Sequence, residues 1–142
     1  MSLLTPMLRS SPLTDWFSDA QRVQGMLDFE AALAQAQAAC GMVPPEAVGP
    51  IVAACRHEAI DFAALGEAAV GAGNLAIPLV KQLTAQVKAQ DPEAARYVHW
   101  GATSQDAIDT GLVLQLRGAL DAAETLLEQL LATLALQAER YR

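Results

Sequence analysis

Residues 103–142 read TSQDAIDTGLVLQLRGALDAAETLLEQLLATLALQAERYR, and this stretch decides the fold that the sequence predicts. Thr103 and Asp106 have the spacing of a capping pair at the start of a helix. The residues after them include two glycines and no proline, so nothing in the stretch ends the helix early. We expect one nearly continuous helix over residues 104–142, roughly 57 Å long at about 1.5 Å per residue.

Two apolar stripes run along this predicted helix. The first comprises Leu112, Leu116, Ala119, Ala123, Leu126 and Leu130, and the second comprises Val113, Leu120, Leu127, Leu131 and Leu134. Two adjacent stripes predict that more than one neighbouring helix covers the element. The shorter helices expected upstream could not cover such a length. We therefore expect the chain to be an N-terminal piece of a longer polypeptide that ends inside a bundle helix.

Four shorter helices are expected before residue 103. Capping and stop residues predict them over about 19–40, 45–57, 62–71 and 78–90, after an irregular arm at 1–17. The apolar face of the first helix is predicted from Met26, Phe29, Leu33, Ala36 and Cys40. Glu30 lies beside that face and could be an ordinary boundary acid or a buried hydrogen-bond anchor; on this pattern alone it is interpreted as a boundary acid. The sequence thus predicts an all-α protein, with an N-terminal helical domain at 1–102 and the truncated start of a helix-bundle domain at 103–142.

The composition narrows the classes of partner and location. Sixteen acids against nine bases give a net charge of −7, and no cluster of lysine or arginine offsets it. Nucleic acid and anionic membrane surfaces are therefore unexpected partners. No signal peptide or membrane-length apolar run is visible. Cys40 and Cys55 are predicted to be reduced, buried thiols, and we expect a cytoplasmic protein.

Residues 99–110, HWGATSQDAIDT, place an imidazole and two adjacent hydroxyls at the start of the long helix. The free N–H groups and the positive dipole end of a helix attract an anion. Thr103, Ser104 and those N–H groups could therefore hold one carboxylate, and His99 a second. On these residues alone, the pattern also fits plain capping by Thr103 and packing by His99. Asp106 and Asp109 are predicted to hold the helix start rather than to act as acids.

The amino-acid sequences of three segments resemble those of the fumarase/aspartase superfamily, within its adenylosuccinate lyase-like branch. These segments are YVHWGATSQD at 97–106 with DTG at 109–111, MLDFEAALA at 26–34, and GAGNLAIPLV at 71–80. The last of them is similar to the loop of the 3-carboxy-cis,cis-muconate cycloisomerases of that branch. Adenylosuccinate lyases carry a histidine and an acid in this loop, where the present chain has Gly73-Asn74-Leu75.

The resemblance implies a function, a set of binding residues and an assembly. The implied reaction closes 3-carboxy-cis,cis-muconate to carboxymuconolactone in protocatechuate degradation by the β-ketoadipate pathway. Asn74, His99, Thr103 and Ser104 would bind the small tricarboxylate substrate. The family's proton-transfer groups lie further along its sequences, so no catalytic residue is expected in this chain. The family also builds each site from three subunits of a homotetramer around the central bundle.

Two alternatives to the cycloisomerase stay open on the sequence. One is an adenylosuccinate-type lyase that releases fumarate by β-elimination. The other is a non-enzymatic helical module that oligomerises through the leucine stripes. No metal site is predicted, because no Cys, His or acidic cluster has metal-ligand spacing, and no cofactor is expected. Gly71-Ala72-Gly73 follows no strand and is not read as a dinucleotide motif.

Overall fold

The computed structural model describes residues 11–142, and all regular structure in that part of the chain is helical. The all-α class predicted from the sequence is therefore confirmed. Three 3₁₀ turns lie at Asp15–Phe17, His57–Ala59 and Ala94–Tyr97. The five α-helices are α1 (Asp19–Ala39), α2 (Pro45–Ala54), α3 (Phe62–Ala72), α4 (Ala76–Gln90) and α5 (Ser104–Arg140). Residues 1–10 of the predicted irregular arm lie outside the described part.

The helix ends follow the capping residues that the sequence contains. The Ser18 hydroxyl accepts the N–H of Gln21 at 3.3 Å, at the start of α1. The Asp61 carboxylate accepts the N–H of Ala64 at 3.0 Å, at the start of α3. Each side-chain oxygen satisfies a backbone donor that the first helical turn leaves unpaired. After α1 the chain turns at Gly41, whose φ of +72° suits a residue without a Cβ.

Two predicted helix bounds are wrong. Helix α2 ends at Ala54 rather than near His57. There the Gln24 side chain forms hydrogen bonds with backbone groups in place of a further helical turn. It donates to the Cys55 carbonyl at 3.2 Å and accepts the His57 N–H at 3.0 Å. Helix α4 begins at Ala76, two residues before Pro78. A proline is tolerated in a first turn, where its missing N–H would have had no helical partner.

The buried face of α1 also differs from the predicted one. Phe29 and Leu33 are half-buried, while Ala36 and Cys40 are exposed, so Cys40 is not the buried thiol that the sequence predicts. The residues buried on α1 are Val23, Gly25, Met26, Leu27, Glu30, Ala34 and Gln37. An apolar pattern misplaces this face because two of its members, Glu30 and Gln37, are polar residues with partners elsewhere in the chain.

Helix α5 confirms the long helix that residues 103–142 predict. It packs against α1 through one row of buried residues, most of them small. Ala107, Gly111, Gln115 and Ala119, spaced four apart, are buried. The Gln115 amide donates to the Trp16 carbonyl at 2.7 Å, which ties α5 to the Asp15–Phe17 turn. Every residue over 124–142 is exposed, so the described residues leave both leucine stripes uncovered there. The expected neighbouring helices stay a prediction, as does a domain boundary at 102/103.

Within residues 11–142, none of the helices is both long enough and apolar enough to cross a bilayer.

Candidate carboxylate-binding site

The segment between Tyr97 and α5 has an unusual backbone. His99 has a φ of +57°, in the left-handed region, and Gly101 has a φ of +70°. Glycine adopts this conformation freely, whereas a residue with a side chain adopts it at a cost of about 1–3 kcal/mol. Contacts elsewhere must offset that cost at His99, and the structure places them on α1.

Two polar side chains of α1 hold this segment. Oε1 of Glu30 lies 2.5 Å from Nδ1 of His99. The Gln37 amide donates to the carbonyl oxygen of Trp100 at 2.7 Å. Residues seven apart lie on nearly the same side of a helix. Glu30 and Gln37 can therefore bind successive residues of the segment, His99 and Trp100. The position of the His99 ring is thus set from α1, 69 residues earlier in the chain.

Glu30 is a buried acid, so its interpretation as a boundary acid is wrong and the alternative of a buried hydrogen-bond anchor is confirmed. Its side chain is 2% exposed, and its second carboxylate oxygen has no hydrogen-bond partner. Burial raises the pKa of Glu30, and the contact with His99 acts in the opposite direction. The signal in the sequence was the spacing, since Glu30 follows Met26 by four residues and precedes Gln37 by seven.

His99 and Ser104, both predicted site residues, line one cavity of about 300 Å³. The His99 side chain is 16% exposed there, and Ser104 is half-buried. The other lining residues are Ala76, Ile77, Val80 and Lys81, all on α4. Lys81 supplies a cationic group that the sequence reasoning did not single out. In the sequence Lys81 directly follows the segment at 71–80 that carries the resemblance, but no spacing there links it to His99.

Thr103 stands at the start of α5, beside this cavity rather than in its lining. Its N–H donates to the Asp106 carboxylate at 2.8 Å, which confirms the predicted capping pair. The Asp109 carboxylate accepts from the Gln105 amide at 2.6 Å. Both acids therefore hold the helix start, as predicted. The arrangement leaves the Ser104 hydroxyl and the dipole end of α5 near the cavity, where they favour an anion.

Asn74 lies apart from the other predicted site residues. Its side-chain oxygen accepts the N–H of Ile77 at 3.1 Å, so it caps the first turn of α4. Asn74 also lines a different cavity of about 290 Å³, together with Arg22, Met26, Leu75, Ile108, Leu112 and Gln115. The contacts of the described residues thus give Asn74 a capping role. Its predicted contact with a substrate stays a prediction.

The described residues also bear on the prediction that the chain has no metal site. Within residues 11–142, no group of three or more His, Cys, Asp or Glu side chains is placed to hold a metal ion. The chemistry that the cavity offers is instead that of an imidazole, an ammonium and a hydroxyl, which together suit a carboxylate-rich ligand.

Almost the whole chain is similar in sequence to known proteins. The chain is 55% identical over 140 residues to the 3-carboxy-cis,cis-muconate cycloisomerase of Bradyrhizobium diazoefficiens, covering 99% of this chain and 31% of that one. It is 61% identical over 132 residues to the enzyme of the same name from Pseudomonas aeruginosa, covering 93% and 29%. The present chain thus spans about a third of the length of these relatives.

A solved structure and a family model complete the comparison. The crystal structure of the 3-carboxy-cis,cis-muconate lactonizing enzyme from Pseudomonas putida superposes with a TM-score of 0.92 at 55% identity, covering 96% of this chain and 32% of that one. The predicted resemblance to cycloisomerases is thereby confirmed. The family model described as Lyase matches residues 8–142. Since that match takes in almost the whole sequence, the chain belongs to the lyase family.

Proposed function

We propose that the whole protein is a cycloisomerase that closes 3-carboxy-cis,cis-muconate to carboxymuconolactone, in protocatechuate degradation. In this proposal the present chain supplies groups that bind the substrate carboxylates. The observation that carries it is the cavity in which His99, Ser104 and Lys81 meet beside the start of α5. The similarity to enzymes of that name supports the choice of substrate.

The chemistry of lactonisation explains why such a cavity is needed. A carboxylate oxygen of the substrate adds across a carbon–carbon double bond, and the neighbouring carbon gains a proton. The reverse reaction is a β-elimination. Both directions require that several carboxylates be held in place and that an acid–base group stand near the reacting carbon.

In this proposal, the described residues meet the first requirement, which is to hold the carboxylates in place. Ser104 and the adjacent helix N–H groups would hold one carboxylate, with Thr103 beside them. His99 would donate to a second carboxylate, and the Lys81 ammonium would balance the charge of a substrate with three. In the proposal, the proton-transfer group comes from a part of the whole protein other than residues 1–142. Asn74 would contact the substrate through its side-chain N–H groups, because its cap on α4 uses only the side-chain oxygen.

The proposal extends to assembly and location. A homotetramer is proposed, in which the long helix joins a central bundle and each site draws on several subunits. A cytoplasmic location is also proposed, and the two cysteines are free in support of it.

An assay of the whole protein tests the function. We expect loss of the ultraviolet absorbance of 3-carboxy-cis,cis-muconate as the conjugated diene is consumed. Release of fumarate from adenylosuccinate would instead favour the lyase alternative, and activity in neither assay would favour a non-enzymatic helical module. Lys81→Met should raise KM, whereas Lys88→Met, which removes the same charge two turns later on α4, should leave KM unchanged.

A further inference from the structure

We propose that Glu30 is a positioning residue for His99. Its carboxylate holds Nδ1 of the ring and thereby presents Nε2, as a hydrogen-bond donor, to the cavity that His99 shares with Ser104 and Lys81. The identity of the ligand, a substrate carboxylate, rests on the proposed function. The geometry of the pair stands without it.

The direction of the ring follows from its two nitrogens. Nδ1 and Nε2 lie on different edges of an imidazole, and each makes its own hydrogen bond. Nδ1 is engaged by Glu30 at 2.5 Å. Since His99 also lines the cavity, Nε2 is the ring nitrogen that is free to meet a ligand there.

The proton on Nε2 follows from the contact at Nδ1. A distance of 2.5 Å between Oε1 and Nδ1 requires one proton between them, because two lone pairs at that distance would repel. Whether that proton is nearer the oxygen or the nitrogen, the next proton on the ring can reside only on Nε2. When Glu30 and His99 together hold two protons, Nε2 therefore donates to an anion in the cavity, and Lys81 in the same lining adds a cation.

A purely structural role explains the pair poorly. Burying a carboxylate costs stability, and an apolar pair of similar volume is often at least as stable as a buried ion pair. The other oxygen of Glu30 gains no hydrogen bond in compensation. His99 moreover adopts a left-handed backbone that is itself unfavourable. These costs are understandable if the orientation of the ring is what the contact secures.

Nuclear magnetic resonance of the 142-residue chain tests the geometry without any assay of activity. The chain has two histidines, so ring-¹⁵N labelling gives two sets of signals, and His57→Gln assigns them. We expect a proton shared by Glu30 and Nδ1 of His99 that lies well downfield of the backbone amides, and a protonated Nε2. An unprotonated Nε2, or no such downfield proton in the wild-type chain, would overturn the proposal even if no variant folds.

Two variants on α1 then separate positioning from stability. Glu30→Gln keeps the shape but replaces the carboxyl group with an amide, and should abolish the downfield signal. Gln37→Leu is the matched control, because it removes the neighbouring polar contact to Trp100. It should lower the melting temperature yet preserve the signal. Loss of the signal in both variants would mean that the segment merely unfolds, and would contradict the assignment to Glu30.

Kinetics of the whole protein test the consequence for binding. A donor that binds the substrate and the transition state alike should change KM and leave kcat nearly unaltered. We expect Glu30→Gln to raise KM about tenfold, the scale of one charge-assisted hydrogen bond. An unchanged KM in an active enzyme would overturn the positioning role. A whole protein without lactonising activity would defeat the proposed function but leave the resonance result standing.

Discussion

Gly25 and Gly111 lie where α1 and α5 cross, and a Cβ on Gly25 would stand 2.9 Å from the carbonyl oxygen of Gly111. A Cβ on Gly111 would likewise stand 3.0 Å from the backbone nitrogen of Met26. Because the atoms on both sides belong to backbone, neither helix can yield by turning a side chain. The two glycines therefore set how closely α5 approaches α1, and with it where the start of α5 stands relative to His99.

Gly25→Ala and Gly111→Ala should each destabilise the fold. The overlap should cost about 1–3 kcal/mol as overpacking, against a gain of about 1 kcal/mol from the better helix propensity of alanine. Gly66→Ala is the matched control, since Gly66 lies inside α3 with open space around it. That variant should gain stability. Urea unfolding of the three variants measures this, and equal gains in all three would contradict the close crossing.

Ser104→Ala should weaken substrate binding more than it weakens folding. The hydroxyl lines the cavity, and a charge-assisted hydrogen bond is worth about 1.5–3 kcal/mol. Thr103→Val should weaken binding too and should also lose cap stability of about 1 kcal/mol. The measurements are KM in the whole protein and the melting temperature of each variant. A large fall in melting temperature at constant KM would make both residues structural.

Glu30→Gln should change how stability depends on pH. Burial raises the pKa of Glu30, so the folded chain keeps a proton where the unfolded chain has already released it. The stability from this group is complete below the ordinary glutamate pKa and is lost as pH rises through the raised value. Over the range in which pH rises above the ordinary glutamate pKa, the wild-type free energy of unfolding should therefore fall relative to that of the variant.

The control for that measurement is Glu67→Gln, which neutralises an exposed acid on α3. Its unfolding free energy should run parallel to the wild type across the same range. Parallel curves for Glu30→Gln as well would mean that the carboxyl of Glu30 titrates alike in the folded and unfolded chain.

The two cysteines should differ sharply in reactivity. Burial, followed by the nearby carboxylates of Glu30 and Asp28, raises the pKa of Cys55 to about 12, so its thiolate is scarce near neutrality. Cys40 is exposed. With an aromatic disulfide reagent near pH 8, one thiol should react at once and the second only after denaturant is added. Cys40→Ser should abolish the fast phase, and a fast phase of two thiols would contradict the burial of Cys55.

The sequence predicted the parts of the fold that local chemistry controls. Ser18, Asp61 and the pair of Thr103 with Asp106 cap the helices they were expected to cap. The buried face of α1 was misplaced because hydrophobic periodicity treats every polar residue as outward. Glu30 and Gln37 point inward, since each has a partner in the segment at 99–100 that only the folded chain supplies.

The sequence predicted the residues of the candidate site that lie in one motif, but not the residue that α4 adds to it. His99 and Ser104 share a cavity as their nearness in sequence suggests. Lys81 joins them through the packing of α4 beside the start of α5, which no spacing in the sequence reveals. The substrate contact predicted for Asn74 stays a prediction, and the cap that its oxygen makes on the first turn of α4 is what the structure adds.

The 142-residue chain by itself should self-associate and show no measurable lactonisation. Leu120 and Leu131 are 67% and 66% exposed on α5, and contiguous apolar surface of this kind promotes association. The proposed function assigns His99 to binding and places the proton-transfer group in another part of the whole protein. Such a group alone contributes about 10²–10⁴-fold to the rate, so the 142-residue chain should lack it.

Light scattering across micromolar concentrations should show mass rising with concentration. Leu127→Glu with Leu131→Glu should suppress that rise, whereas Thr125→Glu with Gln129→Glu, which adds the same charge to the opposite side of the helix, should not. A monomer at every concentration would contradict the bundle role of α5, and robust lactonisation by the purified chain would place the proton-transfer group among its own residues.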